Sequence, residues 1–314
     1  MGKLKAIRDA YGEALQKIGR ENKNIVVLEA DVGSSSKSIL FGKENPERYF
    51  NVGISEGNMT AMAAGFASAG KIPFINTFAT FMTLRAGDPI NSLIAYSNLN
   101  VKLAGTYAGL SDSYDGASHH AISDIALMRS LPNMTVLSVA DAVETEKATR
   151  AAVEYKGPVY LRLSRAAVPI IFEESYKFEI GKGVQLTEGN DVSIIATGYM
   201  LQKSLLAAEE LKSRGIQARV VNIHTIKPID RKLLIKCAME TGAVVTAEEH
   251  SVIGGLGGAV AEVLVKECPV PMDFVGVEDR FAESGDYEKL LEKYGLSVQN
   301  IVAKVESVIK KKNR

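Results

Sequence analysis

Apolar positions along the chain follow two periods, and the switch between them predicts its elements. Leu4, Ile7, Tyr11, Leu15 and Ile18 recur at helical spacing, which predicts an amphipathic helix over 4–18. A continuous apolar run from Ile25 ends in Asp31, the pattern of a strand buried on both faces. A short run, Tyr49 to Ile54, leads to Glu56, and an Ala/Met/Gly-rich helical stretch leads out to Ala69. Further strands are predicted at 72–76, 101–105, 134–139 and 159–163, with helices at 88–97, 122–131 and 142–152. This alternation predicts an α/β fold with a parallel sheet covered on both faces.

Residues 166–190 break the pattern with Pro169, the pair Glu173-Glu174 and three glycines, which marks an interdomain linker. A smaller α/β unit follows, with strands at 192–196, 217–223, 244–248 and 272–277. Its helices are predicted at 201–213, 231–240, 257–266, 284–294 and 298–311. The expected domains are therefore 1–165 and 191–314, in line with a 314-residue chain and about 150 residues per domain.

Composition narrows the function classes. The 37 basic and 37 acidic residues cancel, so there is no electrostatic footprint for nucleic acid. No run approaches the roughly 18 apolar residues of a membrane span. The N-terminus lacks the apolar core of a signal peptide. Cys237 and Cys268 are the only thiols, which fits a reducing cytoplasm, and no Cys/His group has zinc spacing.

Candidate chemistry gathers at predicted strand ends, where open α/β sheets bind ligands. Glu56 stands at such an end and also suits an ordinary first helical turn. Asp31 precedes Gly33-Ser34-Ser35-Ser36, a turn whose hydroxyls also suit phosphate. Phe78 and Phe81, three apart, are expected on one helix face, as core or as a platform for a flat heterocycle. The polar loop 106–118 ends at His119-His120, beside Asp115, and loops of this length are often functional. Arg8 lies on or beside the first helix's apolar stripe, either snorkelling to water or free to meet an anion. The glycine turn 254–258 lacks a dinucleotide fingerprint and reads as a tight turn for close packing.

Five pieces in order resemble the C-terminal half of transketolase: 30–35, 53–58, 77–81, 115–119 and Leu163-Ser164-Arg165. In the second unit, 226–230, 248–256 and 281–285 resemble that family's C-terminal domain. The resemblance covers nearly the whole chain. It implies a pyrimidine-binding domain for thiamine diphosphate, followed by a transketolase C-terminal-like domain. Glu56 matches the glutamate that hydrogen-bonds the cofactor's aminopyrimidine and so promotes loss of the thiazolium proton. Phe78 and Phe81 match the aromatic pocket around that ring, and Asp31 an acid near the cofactor at the subunit interface. His119 and Asp115 match groups that bind the sugar's carbonyl and hydroxyls. Arg8, Ser35 and Arg165 match positions that hold the sugar phosphate.

Departures from the family pattern are Tyr107 in place of a histidine, Leu84 in place of an aromatic, and an altered stretch at 111–114. The family's Gly-Asp-Gly motif for magnesium and diphosphate is missing: Gly87-Asp88 precedes Pro89, and Gly285-Asp286 precedes Tyr287. The resemblance therefore implies a split transketolase. A separate N-terminal subunit would hold Mg2+ and the diphosphate, and this chain would self-associate within a heterotetramer. The expected reaction moves a two-carbon ketol group between sugar phosphates in the pentose phosphate pathway. Two other readings stay open. One is a beta-type subunit of a 2-oxoacid dehydrogenase or a deoxyxylulose phosphate synthase-like enzyme. The other is a noncatalytic nucleotide-binding regulatory subunit using the glycine turn.

Overall fold

The computed structural model describes residues 4–312. The first sheet runs in the order Thr225–Lys227, Thr135–Ser138, Val159–Leu163, Lys102–Thr106, Ile72–Phe78, Ile25–Glu29, Tyr49–Asn51. All neighbours are parallel except the first pair. Its inner strands, such as Ile25–Glu29 and Val159–Leu163, are buried at every position, which is why their sequences are apolar apart from Glu29 and Arg162.

The second sheet has the order Met272–Val277, Val244–Ser251, Val192–Ala196, Ala218–Asn222, Val184–Gln185. It is parallel apart from the last, antiparallel pair. Fold class and most inner elements match the sequence pattern. The differences are short edge strands and the helices Gly33–Ser36 and Ile39–Glu44, where the pattern predicts a turn or no element. Leu4–Ala6 pairs antiparallel with Ala167–Pro169, so the first helix is Ile7–Glu21 and begins three residues later than its periodicity predicts. Two parts of the 166–190 stretch thus join sheets, through Ala167–Pro169 and Val184–Gln185.

The domains interlock. Strand Thr225–Lys227 leaves the second unit and pairs with Thr135–Ser138 at the edge of the first sheet. Glu144 joins three regions: it accepts from Ala140 N at 2.8 Å, Tyr176 hydroxyl at 3.0 Å and Asn222 Nδ2 at 2.8 Å. Burial pushes its carboxyl up to about 8. Arg162 makes a second seam: its Nε donates to Asp124 at 2.7 Å and its Nη2 to the Glu249 carbonyl at 2.8 Å. Removing one partner of so buried a pair costs about 3–5 kcal/mol. Among the described residues, no helix is long and apolar enough to cross a membrane.

Candidate functional site

The C-terminal ends of the first sheet's strands form the rim on which the predicted residues meet. After strand Tyr49–Asn51 the chain turns at Gly53, whose φ of +72° suits glycine, and Glu56 begins the helix Glu56–Ser68. Glu56 is only 4% exposed, yet its partner reaches in from solvent: Arg85 Nη1 donates to Oε1 at 2.9 Å, from a side chain 46% exposed. The same guanidinium lies 3.7 Å from the centroid of the Phe81 ring. Arg85 ends the helix Ala79–Arg85. Nothing in its sequence setting separates it from an ordinary last-turn cation.

Phe78 and Phe81 stack, with centroids 5.7 Å apart and planes at 28°. They do not share a helix face as their spacing suggested. Phe78 is the extended last residue of strand Ile72–Phe78, and Phe81 lies in the helix beyond it. The strand-to-helix corner brings the rings together.

Tyr107 continues the aromatic surface, stacked on Phe78 at 4.3 Å. Its backbone takes a left-handed φ of +58°, a strained choice for a bulky residue that points to a constrained site. Two guanidiniums lie beside its ring: Arg8 at 5.3 Å and Arg165 at 5.2 Å from the centroid. Arg8 also donates to the Tyr107 hydroxyl, and to the backbone oxygen of Ser35 at 3.3 Å. Ser35 thus meets Arg8 through its carbonyl. Arg165 Nη1 pairs with Asp112 Oδ1 at 3.2 Å.

His119 presents an edge contact to Phe81, with centroids 5.1 Å apart. Asp112, Asp115 and His119 offer ligand atoms within 4.8 Å of one another. That spacing could accept a cation, but Asp112 is engaged by Arg165, and His119 Nδ1 lies 2.9 Å from Ser118 Oγ. Burial, with repulsion from Asp115 added, pushes the Asp112 carboxyl up to about 6. The adjacent His120 is buried with both ring nitrogens unpartnered, and burial lowers its pKa. Asp31 stands apart on the rim, at a φ of +60°, accepting from Asn51 Nδ2 at 2.9 Å. The structure thus brings Glu56, Phe78, Phe81, Arg8, Arg165, Asp115 and His119 to one rim, together with Arg85 and Asp112, which the sequence did not single out.

The second domain holds the loop that carries these groups. Glu249 Oε1 accepts from Leu110 N at 2.7 Å and from the Tyr287 hydroxyl at 3.0 Å. Gly285 N donates to Ser113 O at 2.9 Å. A Cβ on Gly109 would collide with the Glu249 carboxyl, and its φ is +65°. The glycine turn serves a different purpose. Glu248 accepts from Leu256 N at 2.6 Å and Gly257 N at 2.8 Å, so the helix-start amides there already hold an anion from the chain itself. A Cβ on Gly255 would run into that carboxyl, which bears out the reading of a turn for close packing.

The family description for the transketolase pyrimidine binding domain matches residues 3–170, and that for the transketolase C-terminal domain matches 181–301. The chain belongs to the transketolase family. A Methanocaldococcus jannaschii protein named for a transketolase C-terminal section is 45% identical over 313 residues, covering 99% of this chain and 98% of that one. A 6-deoxy-6-sulfo-D-fructose transketolase subunit from Clostridium sp. is 43% identical over 307 residues, covering 98% and 95%. Among solved structures, a split-gene transketolase in an inactive β4 tetramer superposes with a TM-score of 0.91 at 52% identity, covering 98% of this chain and 99% of that one. The transketolase family implies use of thiamine diphosphate.

Proposed function

We propose that this chain is the C-terminal subunit of a two-subunit transketolase, which transfers a two-carbon ketol group from a ketose to an aldose once a separate N-terminal subunit completes the site. The observation that carries this reading is the Glu56–Arg85–Phe81 arrangement. Glu56 and the face of Phe81 already hold a planar cationic group, by a 2.9 Å hydrogen bond and a ring contact at 3.7 Å. An aminopyrimidine asks for the same two contacts, so the residues fit that half of thiamine diphosphate.

Bound thiamine diphosphate would supply the stabilisation of negative charge on the transferred carbon. The chain's own residues orient it. Glu56 would hydrogen-bond the ring, Phe78 and Phe81 would form its aromatic pocket, and Asp31 would lie near the cofactor at the subunit interface. His119 and Asp115 meet the sugar's carbonyl and hydroxyls. Arg8 and Arg165 take its anionic end, with Ser35 fixing Arg8 through its carbonyl. Arg suits that role because its fork of donors matches tetrahedral oxyanions.

Mg2+ and the diphosphate fall to the partner subunit. Support for a partner comes from the rim, where Ile54 is 72% and Leu84 65% exposed beside the Glu56 helix and Arg85. Apolar side chains left bare around a polar site suit cover by another chain. The solved split-gene relative, a β4 tetramer, supports self-association. The relative named for a sulfo-sugar makes the donor a choice between sugar phosphates of the pentose phosphate pathway and other anionic sugars.

The test is reconstitution in vitro. This chain is mixed with its cognate N-terminal subunit, thiamine diphosphate, Mg2+ and ketose–aldose pairs, beginning with xylulose 5-phosphate and ribose 5-phosphate. Two-carbon transfer to the aldose is expected. Decarboxylation of 2-oxoacids outpacing transfer from every ketose would overturn the reading.

A further inference from the structure

The two cations proposed for the sugar's anionic end, and Lys37 on the same acid as Arg8, are already paired within this chain. Arg165 Nη1 is 3.2 Å from Asp112 Oδ1. Arg8 Nε is 4.0 Å from Asp9, and Lys37 Nζ is 3.6 Å from that same carboxylate. Asp115 lies with Asp112 and His119 inside the 4.8 Å cluster. Arg8 and Lys37 are thus met by Asp9 and Arg165 by Asp112, with Asp115 beside Asp112.

Asp112 is the distinctive member. It is fully buried, and its Oδ2 has no hydrogen-bond partner. A buried acceptor left free is costly unless something donates to it. A sugar hydroxyl could donate. Neither a fully ionised phosphate monoester nor a sulfonate can donate, and the dianion is repelled more strongly than the monoanion. Such an ester carries about −1.5 to −2 charges at pH 7, with a second pKa near 6. A sulfonate carries one charge and offers the same three acceptor oxygens to Arg8, Arg165 and the Tyr107 hydroxyl.

We propose that Asp112 is a specificity-determining residue. By neutralising Arg165 and keeping one oxygen free, it sets the pocket for sugars whose far end bears a single negative charge, of sulfonate type, in preference to a phosphate dianion. The inference rests on the transketolase reading above and names the substrate class of that same site.

The test uses the reconstituted two-subunit enzyme with a matched pair of donors, fructose 6-phosphate and its 6-deoxy-6-sulfo analogue. For each, kcat/KM is measured with wild type, Asp112→Asn and Asp112→Ser. The wild-type enzyme should favour the sulfonate. Both variants should shift the phosphate-to-sulfonate ratio toward phosphate by roughly three- to tenfold, the effect of one charge at a few ångströms in a partly wet site. The shift should lie mainly in KM. Because the ratio is taken within one preparation, a poorly folding variant lowers both values and leaves the ratio readable. A wild-type preference for phosphate, or a ratio unmoved in both variants, overturns this proposal and leaves the transketolase reading standing. Turnover of neither donor by an enzyme that transfers from no other ketose overturns both.

Discussion

Glu56 opens the helix Glu56–Ser68 in the first domain, and Glu248 faces the start of the helix Leu256–Glu267 in the second. Both are almost fully buried acids near glycines and the start of a helix. Their surroundings differ. Glu248 spends both oxygens on backbone amides of its own domain, at 2.6 and 2.8 Å, and His250 closes in at 3.7 Å. Glu56 instead meets a mobile type of partner, a long side chain nearly half exposed, and the glycines on either side of it face open space. An anion site filled by rigid backbone is structure. One filled by a displaceable side chain is available to a ligand. The nucleotide-binding reading of the glycine turn loses its main support for that reason.

The largest expected effect separates the two acids outright. Glu56→Gln should lower ketol transfer by the reconstituted enzyme roughly 10²–10⁴-fold, as for loss of a proton-handling group, while melting temperature and assembly stay unchanged. Equal losses of activity and thermal stability would make Glu56 a structural acid like Glu248. Next in size, Glu248→Ala should destabilise the fold by about 2–4 kcal/mol, because two buried amides lose their acceptor. Chemical denaturation reads this, and the activity of the protein that remains folded should be close to wild type.

A third test concerns stability against pH. Glu144 ionises near 4.5 when unfolded and near 8 when folded. Between those values the native state holds a proton that the unfolded chain lacks. Its contribution is therefore full below about pH 4.5 and is lost as pH rises toward 8. From pH 6 to pH 8 the stability should fall by roughly 2 kcal/mol. Denaturation midpoints that rise over that range would contradict the burial assigned to Glu144. The smallest effect belongs to Arg85→Ala. Its half-exposed ion pair should change stability by less than about 1 kcal/mol. Thiamine diphosphate binding to the assembled enzyme, followed calorimetrically, should tighten a few-fold as a competitor for Glu56 is removed; weaker binding would mean that Arg85 holds the cofactor instead.

Much of the fold was legible because its inner strands are buried on both faces. Runs such as 25–29, 159–163 and 192–196 allow no other reading. The missed strands, Leu4–Ala6, Ala167–Pro169, Val184–Gln185 and Thr225–Lys227, are two or three residues long and lie at edges, where no periodicity can build up. The site was legible in part. Glu56 stood out by its position at a strand end and Arg8 by its place beside an apolar stripe, while Tyr107 and Arg165 drew notice through family resemblance. That Arg8 and Arg165 flank one tyrosine ring from opposite ends of the first domain is a tertiary fact. Arg85 and Asp112 were missed for the same cause. Their significance lies in their partners, Glu56 and Arg165, which are 29 and 53 residues away.

The central claim is that Glu56 belongs to half a site, which a second chain completes. It is tested most directly by titrating a fixed amount of this chain with its N-terminal partner, at saturating thiamine diphosphate, Mg2+ and sugars, and following ketol transfer. No transfer is expected from this chain alone, followed by a rise with added partner and a plateau at one partner per chain. Turnover by this chain without a partner would contradict it.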